Sequence, residues 1–252
     1  MRAPTVAILY ICTGRYTVFW KNFYDSAAQL LLPGMEKHYY VFTDAKSIYM
    51  GHLPNVHLIY QEAQPWPWPT LLRFRFFKSI ETQLQQHDYI YFFNANTRIY
   101  KTITANDILP APDEELVVTQ HPGFWDKTPE LFTYERNPVS EAYIPAGEGE
   151  VYVAGGLNGG RAASFINFVT KCSAQVDKDL QQNIIATWHD ESHLNKYILH
   201  RKVKLLHPGF LYPHEMDLPF EKMIHLEYKK DFIGGYGKYS LWHKLKKAWP
   251  FK

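Results

Sequence analysis

At 252 residues, with 46% hydrophobic and 21% charged side chains, the chain has an ordinary globular composition and enough length for one large domain or two small ones. A formal net charge of +2 excludes wholesale nucleic-acid binding, which needs a basic stripe along a groove or helix. Aromatic content is high at 16%, with 18 Tyr and 7 Trp, which suits the stacking of sugars or bases as well as core packing. The two cysteines, Cys12 and Cys172, lack metal-ligand spacing, so a reduced, cytoplasmic compartment is expected.

The N-terminal MRAPTVAILYIC is too short for a membrane span and lacks a small-residue cleavage site, so it predicts a first strand over residues 5–11 and no transmembrane segment. The turn CTGRY follows, then a helix over residues 17–32 closed by Pro33 and Gly34. HYYVFTD and VHLIYQE supply two more strands. QPWPWPT cannot be regular structure, because three prolines in five residues remove donors and fix φ, so a helix is expected from Thr70 to about residue 87. The resulting β-α-β-β-α-β order predicts an α/β domain with a mostly parallel sheet. Beyond it come a strand at ELVVTQHP, the glycine cluster VAGGLNGG, and helices near 161–179 and 191–200. From residue 232 no acid occurs, and five lysines stand among aromatic residues, which fits either a solvated tail or a segment meeting a membrane surface or phosphate.

Three stretches carry candidate chemistry. In DYIYFFNANTRIY, residues 88–100, a strand of apolar and aromatic residues runs into Asn94, Ala95 and Asn96. Ligands of parallel sheets bind at the carboxyl ends of strands, where these amides stand with Thr13 and Gly14; on turn statistics alone the amides form a turn. In WHDESHLNKY, residues 188–197, two His, an Asp and a Glu fall close together, but a zinc-protease helix needs Glu directly after the first His, and Glu191 lies two after His189. Helix-capping acids and a catalytic carboxylate are the other readings. VAGGLNGG lacks the Lys-Ser or Lys-Thr of a phosphate loop and the spacing of a dinucleotide fingerprint; its glycines are expected to let backbone approach a bulky ligand.

Together, GRYTVF, HYYVFTD, HPGFW, FTYERNPVSEAYIP, GEGEVYVAGGLNGG and above all WHDESHLNKYIL resemble glycosyltransferase family 6, which holds the blood-group A and B transferases and the α-1,3-galactosyltransferases. The resemblance implies a GT-A fold in a single Rossmann-like domain, a UDP-sugar donor, and transfer to the 3-hydroxyl of a galactose with retention of configuration. It divides the chain into a catalytic domain over 1–231, with a donor half to about 110 and an acceptor half from about 111, and a tail over 232–252. Mammalian members begin with a membrane anchor and stem; this sequence is similar to the short bacterial members.

Carried over by position, the resemblance implies that Ile11, Cys12 and Thr13 hold the uracil by backbone contacts and that Tyr16 packs near the diphosphate. Arg75, with Arg73 as the alternative, supports the donor sugar. Ala154, Gly155 and Gly156 border that sugar, and the small Ala154 and Gly156 leave space for a 2-acetamido group. His121, Phe124 and Thr133 line the acceptor and donor-sugar pocket, and Trp188 stacks on the acceptor galactose. Asp190 and Glu191 handle sugar hydroxyls and the reacting centre. Glu191 is the expected catalytic residue, either as nucleophile or as the charge that stabilises an oxocarbenium-like state.

The family normally places Asp-x-Asp where this chain has Asn94-Ala95-Asn96. Carboxylates there coordinate the manganese that bridges the donor's diphosphate, and amides offer oxygens without charge. Neutralisation of the diphosphate then falls to cations, with Lys230 favoured ahead of Lys229 and the tail. The expected function is a metal-independent, retaining α-1,3-N-acetylgalactosaminyltransferase with no cofactor, using UDP-GalNAc and an α-1,2-fucosylated galactoside. A UDP-galactose transferase, a sugar-binding module that lost its chemistry, and a zinc hydrolase are the alternatives.

Overall fold

The computed structural model describes residues 2–234, so the basic tail beyond residue 234 lies outside the described residues. The elements in order are β1 (Thr5–Ile11), α1 (Trp20–Leu30), β2 (Glu36–Thr43), β3 (Val56–Tyr60), α2 (Trp68–Leu71), α3 (Arg73–Lys78), α4 (Glu81–Leu84), β4 (Tyr89–Phe93) and β5 (Thr97–Ile99). There follow α5 (Ala105–Ile108), β6 (Leu116–Gln120), β7 (Val153–Arg161), α6 (Ala162–Gln181), α7 (Asp190–Ile198), β8 (Val203–Leu206), β9 (Tyr212–Pro213), β10 (Ile224–Leu226) and α8 (Lys229–Ile233). Among the described residues no helix is long and apolar enough to cross a membrane.

Seven strands form one sheet in the order β3-β2-β1-β4-β7-β6-β8. All its pairs are parallel except those made by β7, which runs antiparallel to both β4 and β6. This is the mixed α/β, GT-A-like single domain expected. The central strand β1 is apolar on both faces because helices cover both. Val6, Ile8 and Tyr10 pack with Trp20, Phe23 and Ala27 of α1, while Ala7 and Leu9 pack with Phe74 and Phe77 of α3 and Phe165 and Phe168 of α6. The chain winds outward from β1 to β3, then crosses back to β4 on β1's other side. That reversal opens a crevice at the carboxyl ends of β1 and β4.

Three elements depart from the sequence reading. The single helix expected over residues 70–87 is three short helices, because Leu72 (φ −93°, ψ 5°) and Ile80 (φ −118°, ψ 24°) leave the helical region. The helix expected over residues 17–32 opens as a 3-10 turn over Gly14–Phe19 and becomes α-helical only at Trp20. A second sheet, β5-β10-β9, was not foreseen; its strands are two or three residues long, too short for an alternating pattern.

The glycine cluster is the strand β7, and its glycines make room for the protein's own side chains. A Cβ on Gly159 would stand 2.2 Å from the Tyr91 ring and 2.6 Å from the Ile90 carbonyl oxygen. Tyr91 cannot swing aside, being fully buried with its hydroxyl donating to the Ile108 carbonyl at 2.6 Å. Gly159→Ala is therefore expected to cost about 1–3 kcal/mol or more of stability by overpacking, read as a lower urea midpoint.

Candidate active site

An open cleft of about 600 Å³ occupies the crevice. Its near wall is Ile11, Thr13 and Tyr16 after β1, with Asn94 and Ala95 after β4; Gly155 and Gly156 of β7 and Trp188 to Glu191 close the far side. The proline-rich loop forms a further wall through Gln64, Trp66 and Pro69, and Lys229 and Ile233 of α8 complete it. The sequence reading gave that loop no role, yet its Trp66 meets the His189 ring edge-on at 4.8 Å.

The floor is built on charge. Arg73, buried on α3, reaches the Asp190 carboxylate at 3.1 Å and donates to the Gly155 carbonyl at 2.8 Å, with its guanidinium 4.4 Å from the centre of the Phe92 ring. Burial pushes Asp190 up to about 6, although Arg73 and the backbone N–H groups of Asp190 and Glu191 pull the other way. Glu191 turns to the opposite side, accepting from the Gly155 N–H at 2.8 Å and the Tyr152 hydroxyl at 3.0 Å. Its pKa rises to about 7, chiefly by burial and further by Asp190, against the lowering effect of those two hydrogen bonds and Arg73. A carboxylate held at that value is poised between acid and base near neutrality.

Local backbone chemistry places the two acids. His189, at the N-cap of α7, takes φ 55° and ψ −122°, a conformation costly for a residue with a Cβ, and so turns the chain abruptly into the helix. Asp190 and Glu191 then fall in the first turn, where the helix dipole favours negative charge. Asn195, one turn on, accepts from the Val153 N–H at 3.0 Å and donates to the Val153 carbonyl and the Glu191 carbonyl, each at 2.9 Å. It pins α7 to β7 beside Gly155. Gly155 must lack a side chain, since a Cβ there would stand 2.6 Å from the Asp190 carboxylate. Upstream, Glu135 accepts from the Thr187 N–H at 2.7 Å and its hydroxyl at 3.0 Å, fixing the approach to Trp188.

Most of the predicted site residues converge here, but Arg75, Lys230, Cys12 and Asn96 do not line the cleft, and neither do Ala154, His121, Phe124 and Thr133, which were expected to border the sugar pockets. Arg75 lies on the surface, bound to Asp177 at 2.6 Å, and the alternative Arg73 takes the inner position. Lys230 is exposed beside Tyr228, and Lys229 lines the cleft instead, 5.5 Å from the centre of the Tyr16 ring. Cys12 is buried, with its N–H donating to the Phe42 carbonyl, so Ile11 and Thr13 alone of that turn reach the cleft. Asn96 is also buried, with its side chain committed to protein partners.

His121, Phe124 and Thr133 gather one layer out, around Tyr152. His121 and Phe124 pack on its ring at 5.7 and 4.6 Å, and the Thr133 hydroxyl lies beside its phenol. Burial holds His121 down to about 4, so its ring is neutral at physiological pH. Ala154 is buried within β7, and Gly156 stands open to the cleft, its missing Cβ 3.3 Å from a Leu211 methyl.

The strand-end amides do not make a cation site. Asn94 faces the cleft and donates from Nδ2 to Oδ1 of Asn96 at 3.2 Å, and Nδ2 of Asn96 donates to the Glu227 carbonyl at 3.0 Å. The Asn96 oxygen is thus occupied, and the turn itself supplies only neutral amide oxygens. The donor set does not fit a divalent ion, which takes several charged or carbonyl oxygens around it. Among the described residues no three His, Cys, Asp or Glu side chains converge on a metal position. His193, the second histidine of WHDESHLNKY, is fully buried, held down to about 3 by burial, with Nε2 3.7 Å from Asp179.

A cleft at the switch point of an α/β sheet is where such folds bind their ligands, and here its floor carries two buried acids, one of them paired with an arginine. A family model described as "Glycosyltransferase family 6" matches residues 2–231, and the chain belongs to that family. It is 37% identical over 208 residues to the O-antigen biosynthesis glycosyltransferase WbnI of Escherichia coli, covering 82% of this chain and 88% of that protein. Histo-blood group ABO system transferase 1 of Rattus norvegicus is 33% identical across 86% of this chain and 63% of its own length. Globoside alpha-1,3-N-acetylgalactosaminyltransferase 1 of Canis lupus familiaris is 28% identical across 82% of this chain and 61% of its own. The chain thus spans under two thirds of both mammalian relatives.

The raised pKa of Glu191 has a consequence for stability. Between the ordinary 4.5 and about 7 the folded state holds a proton that the unfolded state has released, so this group's contribution is lost as pH rises through that window. Glu191→Gln, whose amide can satisfy both Gly155 and Tyr152, is therefore expected to melt higher than the parent at pH 8. The gain should shrink steeply by pH 5, as thermal melts at the two values will show.

Proposed function

We propose that the protein transfers N-acetylgalactosamine from UDP-GalNAc to the 3-hydroxyl of a galactose, forming an α-1,3 bond with retention and without a metal or other cofactor. The acceptor in this reading is an α-1,2-fucosylated galactoside, and the enzyme works in the cytoplasm, in keeping with two free, buried cysteines. The observation that carries the reading is the Glu191 carboxylate, fixed by the Gly155 N–H and Tyr152 at the cleft floor beside Arg73 and Asp190. A binding module has no need to keep a carboxylate whose ionisation is opposed by burial. The α-1,3-N-acetylgalactosaminyltransferases among the relatives, and the absence of a side chain at Gly156 in the cleft wall, support the choice of donor.

In the reaction the bond from the sugar's anomeric carbon to the diphosphate oxygen breaks, a bond to the acceptor oxygen forms on the same face, and the acceptor's hydroxyl proton passes to a phosphate oxygen of the departing UDP. Glu191 would stabilise positive charge at the anomeric carbon or bond to it transiently. Arg73 and Asp190 would hold the sugar's hydroxyls. Lys229 would face the charge that develops on the leaving diphosphate, a task to which the neutral Asn94 contributes only hydrogen bonds.

UDP release is expected to be fastest with UDP-GalNAc and 2'-fucosyllactose and to persist in excess EDTA. Faster turnover of UDP-galactose would overturn the donor assignment, and activity lost to EDTA and restored by manganese would overturn metal independence.

Glu191 must be ionised to act in either role, so kcat/KM should fall with acid below about pH 7, where it takes up a proton. Glu191→Gln is expected to lower kcat by about 100-fold or more. Tyr152→Phe, which deletes a hydrogen bond to the ionised form, should move the acid limb to higher pH. A limb unmoved by that change would detach it from Glu191.

A further inference from the structure

We propose that Asn96 is a positioning residue whose side-chain amide clamps the C-terminal segment to the strand-end turn and thereby sets where Lys229 stands in the cleft. The inference deepens the proposed function and rests on it for the role of Lys229. Asn96 is only 6% exposed and makes a reciprocal pair with Glu227: its carbonyl accepts from the Glu227 N–H at 2.7 Å, and its Nδ2 donates to the Glu227 carbonyl at 3.0 Å. The pair extends the antiparallel ladder of β5 and β10, whose last rung joins Thr97 to Leu226.

The same two residues tie in two further elements. Oδ1 of Asn96 accepts from Asn94, which faces the cleft, and the Glu227 carboxylate accepts from Asn22 of α1 at 2.8 Å. Lys229 follows Glu227 by two residues, at the start of α8, with its ammonium near the Tyr16 ring. β10 is held by three rungs to β5 and two to β9, all ending by Leu226, so the side-chain amide secures the backbone one residue further on, at the entry to α8.

The chemistry demands a hydrogen-bond donor at this position, with the reach to meet the Glu227 carbonyl. A carbonyl oxygen only accepts, so its partner must donate, and an ionised aspartate cannot. Asp at position 96 would set a carboxylate against the Glu227 carbonyl in a buried site, which is repulsive. Asn96 is thus distinguished from Asn94, whose side chain reaches the cleft itself.

The test is a double-mutant cycle read by calorimetric UDP binding at pH 8, with Asn96→Asp, Asn96→Ser, Lys229→Ala and the combinations. Each Asn96 variant is expected to weaken UDP binding by about tenfold or more. In the Lys229→Ala background the further loss should be under about twofold, because the clamp acts through that lysine. Undiminished affinity in the Asn96 variants, or losses that simply multiply, would overturn the proposal. Asn96→Ser keeps a small polar side chain should Asn96→Asp fail to fold.

If the parent protein binds no UDP, the proposed function fails, and hydrogen exchange of the ligand-free protein decides the clamp by itself. Faster exchange across residues 224–234 in Asn96→Ser supports the clamp, and unchanged exchange overturns it.

Discussion

The Arg73 guanidinium is the interaction on which the cleft depends. It is buried between the sheet and α7, and each face of it is used: one nitrogen for Asp190, another for the Gly155 carbonyl, the plane for Phe92. Without it, Asp190 would be a buried charge with no opposite partner, a loss of about 3–5 kcal/mol in comparable cases. Its contact with Gly155 also fixes the strand segment whose N–H holds Glu191. One cation therefore sets the acid that it touches and, through one glycine residue, the acid that it does not.

Adjacent in sequence, Asp190 and Glu191 are separated in role by the backbone. The positive φ of His189 and the helical start that follows aim one side chain toward α3 and the other toward β7. Strain at His189 persists because its neighbours over-determine it: the ring lies against Trp66, its N–H donates to the Ala186 carbonyl, and Asn195 fixes the next turn of helix to Val153. Gly155 then has to be glycine because Asp190 occupies the space of its side chain. The glycine cluster, the HDE run and the distant arginine are three parts of one packing solution.

The sheet and the cleft's location were legible because they follow from long apolar runs and from chain order. The strands around residues 5–11, 36–43, 56–60 and 89–93 and the crevice at Asn94 came directly from that pattern. The choice between neighbouring basic residues did not, although helical periodicity carried the signal. Arg73 shares its face with Phe77 and Ile80, both buried, whereas Arg75 shares its own with Lys78 and Ser79, both exposed. In the same way Lys229 sits four residues before the buried Ile233, and Lys230 points out. Tyr152 and Asn195 carried no such mark, since a buried tyrosine or a mid-helix asparagine is revealed only by the partner that folding brings to it.

The two asparagines at the strand end are set in different environments, and that difference bears on why neutral amides suit this turn. Asn94 lies at the cleft, but Asn96 lies over Glu227, a buried acid whose pKa is raised by burial and one of whose oxygens has no hydrogen-bond partner. A carboxylate at residue 96 would bring a second negative charge to a place that already disfavours its first. It would also lose the amide that donates to the Glu227 carbonyl. The neutral pair is accordingly matched to its supporting layer, in which the Asn96 amide donates to the Glu227 carbonyl and the Glu227 carboxylate in turn accepts from Asn22.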